Sequence, residues 1–480
     1  MARRHFVVIG GGLGGLATAL RLSHRGHQVT LLEKTDQIGG RNRRQTLAGC
    51  EFDGGPTLMM MLDPFRKLFA DVGERLEDHL TLTLCDPSYR VFYRDGARLE
   101  GTPNIARMLE QIQKLSGPDE AARYPGLIGE LAELYHASIP HFVRKNYRSL
   151  WDFASPAQLK RVVQHRMLSN LGRRIDQRFS DPRLRMLFSF QTMYLGLSPY
   201  DAPWVYATLT YMEYGEGIWY PQGGMPAICE AVARLAQARG TEIRLSSPVA
   251  RMEARSVTLE SGETLTADAV ICNADLPYAQ EKLAVRPKQG RERRHSCSAL
   301  VFYWPYEGSL PELLHHNIFF GRDFRGNLQA IFKDLQLPED PAFYACVSSQ
   351  TDSELTPPGW SNLYVLVPCP NLDRPFTDSD LESLRSQVFA RLAEETSFQP
   401  DRVRGEALRT PRTWQSELNL NKGAAFGLSH DTFQSAFMRP PNIREGIYYV
   451  GASTVPGNGL PMVLISAELA EDRLERDGYL

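Results

Sequence analysis

Short apolar runs and an amphipathic helix alternate at the start of the chain. The run FVVIG (residues 6–10) is typical of a buried β-strand, and QVTLLE (28–33) predicts a second strand that ends on an acid. The segment between them predicts a helix, because its apolar residues recur at steps of three and four: Leu13, Leu16, Ala17 and Leu20. Gly26 stands where a helix commonly ends. The pattern therefore predicts a strand–turn–helix–strand unit.

The same alternation returns in two later segments. Residues 220–240 predict a helix that comes after a glycine pair and ends at Gly240, and after short strands with Ser-Gly turns the run AVIC (269–272) predicts a buried strand. Residues 446–474 predict a strand, a loop rich in glycine and proline, and a helix that begins near Leu460. From spacing alone, each of these is an α/β segment.

Two long insertions separate the segments, at about 85–215 and 285–430. In the second, SALVFYWPY and NLYVLVP predict strands, and we expect them to form the sheet beneath a substrate cavity. In the first, residues 155–179 predict one amphipathic helix with Ser155 as its N-cap and Pro156 in its first turn. Its polar face is basic and carries Lys160, Arg161, Arg166, Arg173, Arg174 and Arg178.

This basic helix has two interpretations. It is either a surface helix with a solvated arginine face, or a patch that meets anionic lipid while its apolar edge enters the membrane interface. In the second interpretation Phe142, Tyr147 and Trp151 are neighbouring aromatic residues that enter the interface with it.

Composition narrows the class of protein. The 480 residues are 42% hydrophobic with a formal net charge of -2, so the chain can bury a large core and nothing global indicates nucleic acid as a partner. No apolar run approaches the roughly 18 residues of a membrane span, and the one after MARRH is too short for a signal peptide. The seven cysteines are scattered, which argues against a disulfide framework or a zinc site and suits a reducing cytoplasm.

The first turn carries the spacing Gly10-x-Gly12-x-x-Gly15, with Glu33 eighteen residues later. Glycines allow the backbone to approach a pyrophosphate at a helix N-terminus, and the acid is placed to accept hydrogen bonds from a ribose hydroxyl. The alternative is a glycine-rich turn without a ligand. An acid at this position also disfavours the 2′-phosphate of NADPH.

The segment after this acid distinguishes FAD from NAD. A second glycine pair with an arginine (Gly39, Gly40, Arg41) comes next, and FDGGPT (52–57) lies a little further on. This stretch resembles the extended loop along FAD in amine oxidases and carotenoid desaturases, where arginine can offset the diphosphate charge. The alternative interpretation of GGR is an ordinary surface turn.

The order of the motifs resembles one family closely. The Gly10–Glu33 unit, EKTDQIGGR, FDGGPT, WYPQGGM, VICNAD, NKGAAFGLSH and VGASTVPGNGLPMVLISA occur as in bacterial-type phytoene desaturases, which belong to a wider carotenoid desaturase and retinol saturase family of FAD enzymes. The PGxGLP motif near the end discriminates best, and monoamine oxidases lack it. Many relatives carry histidine where this chain has Val455, so no proton transfer is assigned there.

The resemblance implies an α/β fold in which a Rossmann-like FAD-binding domain is assembled from three sequence segments. An inserted substrate domain with a mixed sheet and a helical, membrane-associating domain complete it. The expected boundaries are 1–84, 216–284 and 431–480 for the FAD-binding domain, 85–215 for the helical insertion and 285–430 for the substrate-binding domain. The residues expected to bind FAD are Gly10, Gly12, Leu13, Gly14, Gly15, Glu33, Lys34, Gly39, Gly40, Arg41, Gly55, Pro56, Thr57, Val249, Asn273, Ala274, Asp275, Gly451, Gly459, Leu460, Pro461 and Met462.

The implied activity is desaturation of phytoene or a related C40 or C30 polyene at the cytoplasmic face of the membrane, with oxygen or a quinone as electron acceptor. The chain shows no Ser/His/Asp set, no H-E-x-x-H and no paired-carboxylate motif, and no residue is assigned to a metal; this suits chemistry carried by the cofactor. Five histidines in polar stretches are expected at the surface: His24, His27, His295, His315 and His316. Glu216 and Asp201, in an aromatic stretch, are the candidate bases, although either could be a structural hydrogen-bond partner.

Three alternatives stay open at this point. The same scaffold could serve a carotenoid ketolase or aldehyde-forming oxidase, or a polyene saturase that runs the reverse reaction. A non-enzymatic prenyl-binding escort protein, similar to GDP dissociation inhibitors, belongs to a different class. The intact glycine loop and Glu33 argue against the escort, because a protein without a flavin has no need of them.

Overall fold

A computed structural model describes residues 3–146, 155–285, 293–430, 443–444 and 446–480. Tyr147 and Trp151, which the membrane interpretation invoked, lie outside the described residues. The strands in chain order are β1 (His5–Ile9), β2 (Gln28–Leu32), β3 (Arg44–Leu47), β4 (Cys50–Asp53), β5 (Leu82–Cys85), β6 (Tyr89–Phe92), β7 (Arg98–Gly101), β8 (Ile218–Pro221), β9 (Thr241–Arg244), β10 (Val249–Glu253), β11 (Ser256–Leu259), β12 (Thr264–Thr266), β13 (Ala269–Cys272), β14 (Ser298–Glu307), β15 (His316–Phe319), β16 (Phe343–Val347), β17 (Trp360–Cys369), β18 (Ala407–Arg409), β19 (Ile443–Arg444) and β20 (Ile447–Tyr449). The helices are α1 (Leu13–His24), α2 (Asp63–Asp71), α3 (Ile105–Ser116), α4 (Pro118–Ala121), α5 (Tyr124–Ser138), α6 (Pro156–Gln164), α7 (Leu171–Arg178), α8 (Pro182–Leu187), α9 (Thr208–Tyr211), α10 (Pro226–Ala238), α11 (Leu276–Tyr278), α12 (Phe324–Gln329), α13 (Asp378–Glu395), α14 (Pro411–Leu418) and α15 (Leu460–Arg476).

A six-stranded sheet holds the first strand near its centre, in the order β19-β20-β13-β1-β2-β9. Its five neighbouring strands from β20 to β9 are parallel, and β19 is antiparallel to β20. Alternate residues of β1 face opposite layers: Phe6 and Val8 pack with α1, α10 and α15, whereas Val7 and Ile9 pack with the sheet β10-β11-β12. Both faces are therefore covered, which explains why the strands read as continuous apolar runs.

A seven-stranded sheet forms the second layer of the molecule, in the order β18-β14-β17-β16-β15-β6-β7. Only the pair β15 and β6 is parallel among its described pairs, so the sheet is mixed. Phe302 and Trp304 of β14 pack on α13, and Ala299, Val301 and Tyr303 face the opposite side. The mixed sheet and the parallel sheet built from three segments confirm the predicted fold class, whereas the bounds of the five predicted domain segments stay predictions.

The helix predicted across residues 155–179 is two helices, so its continuity was predicted wrongly. α6 ends at Gln164, Arg166 takes a positive φ of 49°, and Asn170 caps α7 by accepting a hydrogen bond from the Arg173 N–H. A side chain that caps a new helix competes with continuation of the old one, which explains the break. Over the described ranges, none of the helices combines the length and the apolar character needed to cross a bilayer.

Candidate functional site

A large cavity of about 680 Å³ lies between the two sheets. It begins at the carboxyl ends of β1, β2 and β13 and continues between the aromatic segment at 190–212 and the seven-stranded sheet. Every residue predicted to bind the cofactor lines this cavity except Gly15. Gly15 instead packs inside the turn, where an added Cβ would lie 2.1 Å from the Gly10 carbonyl oxygen. The predicted residues therefore surround one cavity, and their binding of a cofactor stays a prediction.

The N-terminus of α1 forms the floor at the narrow end. Gly12 precedes the helix without a side-chain cap, so the N–H groups of the first turn are left to another acceptor. An added Cβ on Gly14 would lie 2.6 Å from Asn273 Oδ1 and 2.9 Å from Val463 Cγ1. Glycine here lets the start of α1, the end of β13 and the start of α15 meet around one point.

Glu33 stands directly after β2 and is buried. Its Oε2 accepts a hydrogen bond from the Gly11 N–H at 2.7 Å, and its Oε1 accepts from the Thr35 N–H and hydroxyl, each at 2.9 Å. An ionised carboxylate offers about four acceptor sites, so one remains for a ligand hydroxyl. The carboxylate is thus oriented before any nucleotide arrives.

Arg41 is the clearest indication that an anion belongs in the cavity. Its guanidinium is buried, and its Nε and Nη2 have no hydrogen-bond partner among the described residues. Burial lowers the pKa of Arg41, and the nearby carboxylate of Asp275 opposes that shift. A buried cation with unused donors is costly unless an anion pairs with it, so the site fits the diphosphate of a dinucleotide.

The loop before α15 closes the other side of the cavity. Gly459 precedes the helix at φ 103° without a side-chain cap, and Leu460, Pro461 and Met462 form the first turn. The positive end of this 17-residue helix therefore faces the cavity, where it stabilises negative charge. Val455 packs into an apolar cluster beside α15, so this loop has no proton-transferring side chain at that position.

The wide end of the cavity is an apolar chamber. One wall comes from the segment at 190–212 and the other from the seven-stranded sheet and α12. Its lining includes Phe190, Leu195, Val205, Leu209, Met212, Ile318, Phe320, Leu328, Tyr344 and Leu366. Such a surface suits an elongated hydrocarbon and excludes water from it.

Glu213 is an acid that sequence reasoning missed. It is fully buried, and its Oε2 accepts hydrogen bonds from Gln191 Nε2 at 2.9 Å and from the Tyr89 hydroxyl at 3.2 Å. The hydroxyl of Tyr194, a chamber residue, interacts with the same carboxyl, and Oε1 has no hydrogen-bond partner in the described part of the chain. Burial raises the pKa of Glu213 to about 7. The aromatic stretch suggested an acid, but its local pattern could not show that Glu213, which does not itself line the cavity, interacts with the lining residue Tyr194.

The two acids chosen from sequence lie elsewhere. Glu216 is half-buried and interacts with Tyr135 of α5, and burial raises its pKa. Asp201 lies in an exposed turn and forms an ion pair with Lys333 at 2.9 Å. Neither of these two acids lines the cavity.

The surface placement expected for the histidines was wrong for three of them. His27, His315 and His316 are buried, His295 is half-buried, and His24 is exposed. The seven cysteines are all free and buried.

Comparisons with known proteins agree with this geometry. Residues 13–470 match the family described as flavin-containing amine oxidoreductase. The chain is 42% identical to a zeta-carotene-forming phytoene desaturase of Myxococcus xanthus, over 98% of this chain and 94% of that one. It is 36% identical to a phytoene desaturase of Neurospora crassa, over 99% of this chain and 85% of that one. A solved oxidoreductase from Methanosarcina mazei shares the fold, with a TM-score of 0.65 and 17% identity over 98% of this chain and 100% of that one.

Proposed function

The chain belongs to the family of flavin-containing amine oxidoreductases, and from that premise we propose that it is an FAD-dependent carotenoid desaturase. The substrate is phytoene or a related C40 or C30 polyene. The observation that carries the proposal is the continuity of one cavity, which joins a cradle for a dinucleotide to an apolar chamber. The relatives named as phytoene desaturases support the same activity over almost the whole chain.

FAD is the cofactor, and when bound it supplies the acceptor for hydride removed from an allylic carbon. Glu33 would hold the ribose, and Arg41 with the backbone amides at the start of α1 would hold the diphosphate. The loop at 451–462 would face the ring system. The apolar chamber positions the polyene and keeps water away from the reacting carbons.

The proton removed with the hydride needs an acceptor, and we assign it to the pair Tyr194 and Glu213. The Tyr194 carbonyl accepts a hydrogen bond from Asn458 of the closing loop, so this tyrosine stands beside the predicted place of the ring system. Burial raises the pKa of Tyr194 well above its usual value, so its phenol keeps its proton at rest. A substrate proton passes to the Tyr194 oxygen while the phenolic proton passes to the Glu213 carboxylate, with which the Tyr194 hydroxyl interacts, so the count of protons balances.

The decisive experiment uses purified holoprotein with phytoene in vesicles, under anaerobic conditions. The yellow flavin absorption should bleach while the longer-wavelength bands of a more unsaturated carotenoid appear, and phytoene-free vesicles should give neither change. Binding of phytoene without bleaching would indicate the escort protein and overturn the proposal. Oxygenated products would indicate the ketolase or oxidase, and loss of double bonds from a more unsaturated substrate with reduced enzyme would indicate the saturase.

We also propose that the protein docks on the cytoplasmic face of the membrane through α6 and the turn after it. Leu159, Val163 and Leu168 are 51%, 75% and 63% exposed, which is unusual for large apolar side chains grouped in one segment. Exposed basic residues, among them Lys160, Arg166 and Arg173, accompany them. Arg174 and Arg178 are instead paired with Glu130, and Arg174 also stacks on Trp204.

A vesicle sedimentation assay tests the docking. The triple variant Leu159→Asp, Val163→Asp, Leu168→Asp should lose binding to anionic vesicles while keeping its flavin. Ile105→Asp with Leu245→Asp is the matched control, because these exposed apolar residues lie elsewhere on the surface. Equal sedimentation of the triple variant and the parent would refute this surface.

Oxygen or a quinone is the proposed final electron acceptor. Reduced holoprotein mixed with air-saturated buffer, or with a quinone in anaerobic vesicles, should regain its flavin absorption with one of the two. Failure of both to reoxidise the flavin would contradict this assignment.

A further inference from the structure

A thiol and two imidazoles converge behind the cavity wall. Cys85 ends β5, His315 precedes β15 and His316 begins it. One ligand atom of each residue lies within 4.8 Å of those of the other two, and all three side chains are buried. These residues are not among those that line the cavity, so the cluster is separate from the site described above.

Each imidazole is oriented through one nitrogen and left unsatisfied at the other. His315 Nδ1 lies 2.6 Å from the Thr351 hydroxyl, and His316 Nδ1 lies 2.6 Å from the Tyr344 hydroxyl. Both Nε2 atoms are buried without a hydrogen-bond partner from any residue that the structure describes. A buried polar atom left unpaired costs about 1–3 kcal/mol, so two such atoms in adjacent rings call for a ligand.

We propose that Cys85, His315 and His316 bind a transition-metal ion of borderline to soft character, Zn²⁺ or Cu⁺. Imidazole nitrogen and thiolate sulfur are the donors that both ions prefer. A metal-bound histidine generally donates the N–H of its other ring nitrogen to an oxygen. The hydroxyl groups of Thr351 and Tyr344 are such oxygens here. Binding converts the Cys85 thiol to a thiolate and releases its proton to solvent.

The cluster is well suited to receive a cation. Zn–N distances of about 2.0 Å and Zn–S distances of about 2.3 Å place ligand atoms roughly 3.5 Å apart. The ligand atoms of the cluster lie within 4.8 Å of one another, so small side-chain rotations would bring them to these distances.

The ion would have a structural task. The Tyr344 hydroxyl that orients His316 also lies 2.8 Å from Thr57 Oγ1, and both Tyr344 and Thr57 line the cavity. A metal that fixes His316 would thus fix Tyr344 and, through it, the FDGGPT loop. The proposal does not depend on the substrate, because it concerns only how this wall is held.

Metal analysis of the untagged holoprotein is the first experiment. We expect about one equivalent of zinc or copper per chain, and elemental analysis distinguishes the two. Removal with a chelator should lower the thermal midpoint, and adding back the ion should restore it. Absence of bound metal after incubation with Zn²⁺, and with Cu⁺ under reducing conditions, would overturn the proposal. This test uses the parent protein alone, so it does not depend on the folding of a variant.

Cobalt substitution identifies the ligands. Co²⁺ should give a thiolate-to-cobalt charge-transfer band in the parent and in the control Cys369→Ala, which removes a buried thiol in a different core. Cys85→Ala should lose the band, and His316→Ala should lower the affinity for Co²⁺ at least 10-fold. Retained flavin absorption shows that a variant has folded, and an unchanged band in folded Cys85→Ala would contradict the assignment.

Discussion

The carboxyl of Glu213 is held in a low-dielectric pocket with two hydrogen bonds to one oxygen, and its second oxygen is free of hydrogen bonds from the described residues. Because its pKa is raised to about 7, it is protonated below that pH and cannot accept a proton. Turnover should therefore fall as the pH drops below about 7. Glu213→Gln should slow turnover about 10²-fold or more and abolish this inflection. The measurement is kcat against pH.

Glu216→Gln is the control for that profile, because the Glu216 carboxyl interacts with Tyr135 of α5, whereas Glu213 interacts with the chamber residue Tyr194. It should retain both the rate and the inflection. If Glu216→Gln lost the inflection and Glu213→Gln kept it, the assignment of the proton acceptor would be wrong.

The same raised pKa has an effect on stability. A carboxyl with a folded-state pKa of about 7 and an unfolded value of 4.5 adds stability below pH 4.5 that is lost as pH rises through 7. Relative to Glu213→Gln, the parent should lose on the order of 3 kcal/mol between those limits. Thermal midpoints of both proteins from pH 5 to 8 give the comparison, and parallel curves would contradict it.

Replacing Arg41 should weaken FAD binding and stabilise the apoprotein. Arg41→Met keeps the bulk of the side chain and removes a buried cation with two donors that no described residue uses. FAD affinity should fall about 10- to 100-fold, the equivalent of a charge-assisted hydrogen bond, whereas the apoprotein should become more stable. Titration of apoprotein with FAD and thermal melts of the apoprotein measure the two effects. Exposed Arg173→Met should change neither.

At the scale of elements, Gly14 lies where the end of β13 and the starts of α1 and α15 pack together. Gly14→Ala would force a methyl group against Asn273 and Val463, so we expect a loss of about 1–3 kcal/mol and a lower flavin content. Gly129→Ala in α5 is the matched control, because its added Cβ would meet no described atom within 4 Å other than those of its own helical turn. That variant should gain up to about 1 kcal/mol in thermal melts.

The elements that sequence could predict are those whose pattern is local. β1, α1 and β2 appear where the apolar periodicity and Gly26 put them, and α15 begins at Leu460 as expected. The helix at 155–179 was overextended because apolar spacing continues through a break that the Asn170 cap creates. Spacing therefore locates elements better than it locates their ends.

The site was predictable to the same degree. Residues beside glycine turns could be assigned to the cavity because strand ends of a parallel sheet meet at one edge. The burial of Glu213 and the meeting of Cys85 with His315 depend on pairing between distant strands, which no local pattern contains.

At the scale of the whole molecule, the cavity is a property of two sheets together. The parallel sheet presents its strand ends and helix N-termini, and the mixed sheet presents an apolar face. Neither sheet encloses the chamber alone, so cofactor and substrate meet only at their junction.

Both sheets join strands that are far apart in sequence: β1 pairs with β13, whose outer neighbour is β20, and β6 pairs with β15. A ribosome delivers the chain in order, so one edge of β1 and one edge of β6 stay unpaired until β13 and β15 emerge. Apolar strand edges stay uncovered during that interval, which makes chaperone assistance during translation important for the yield of active protein.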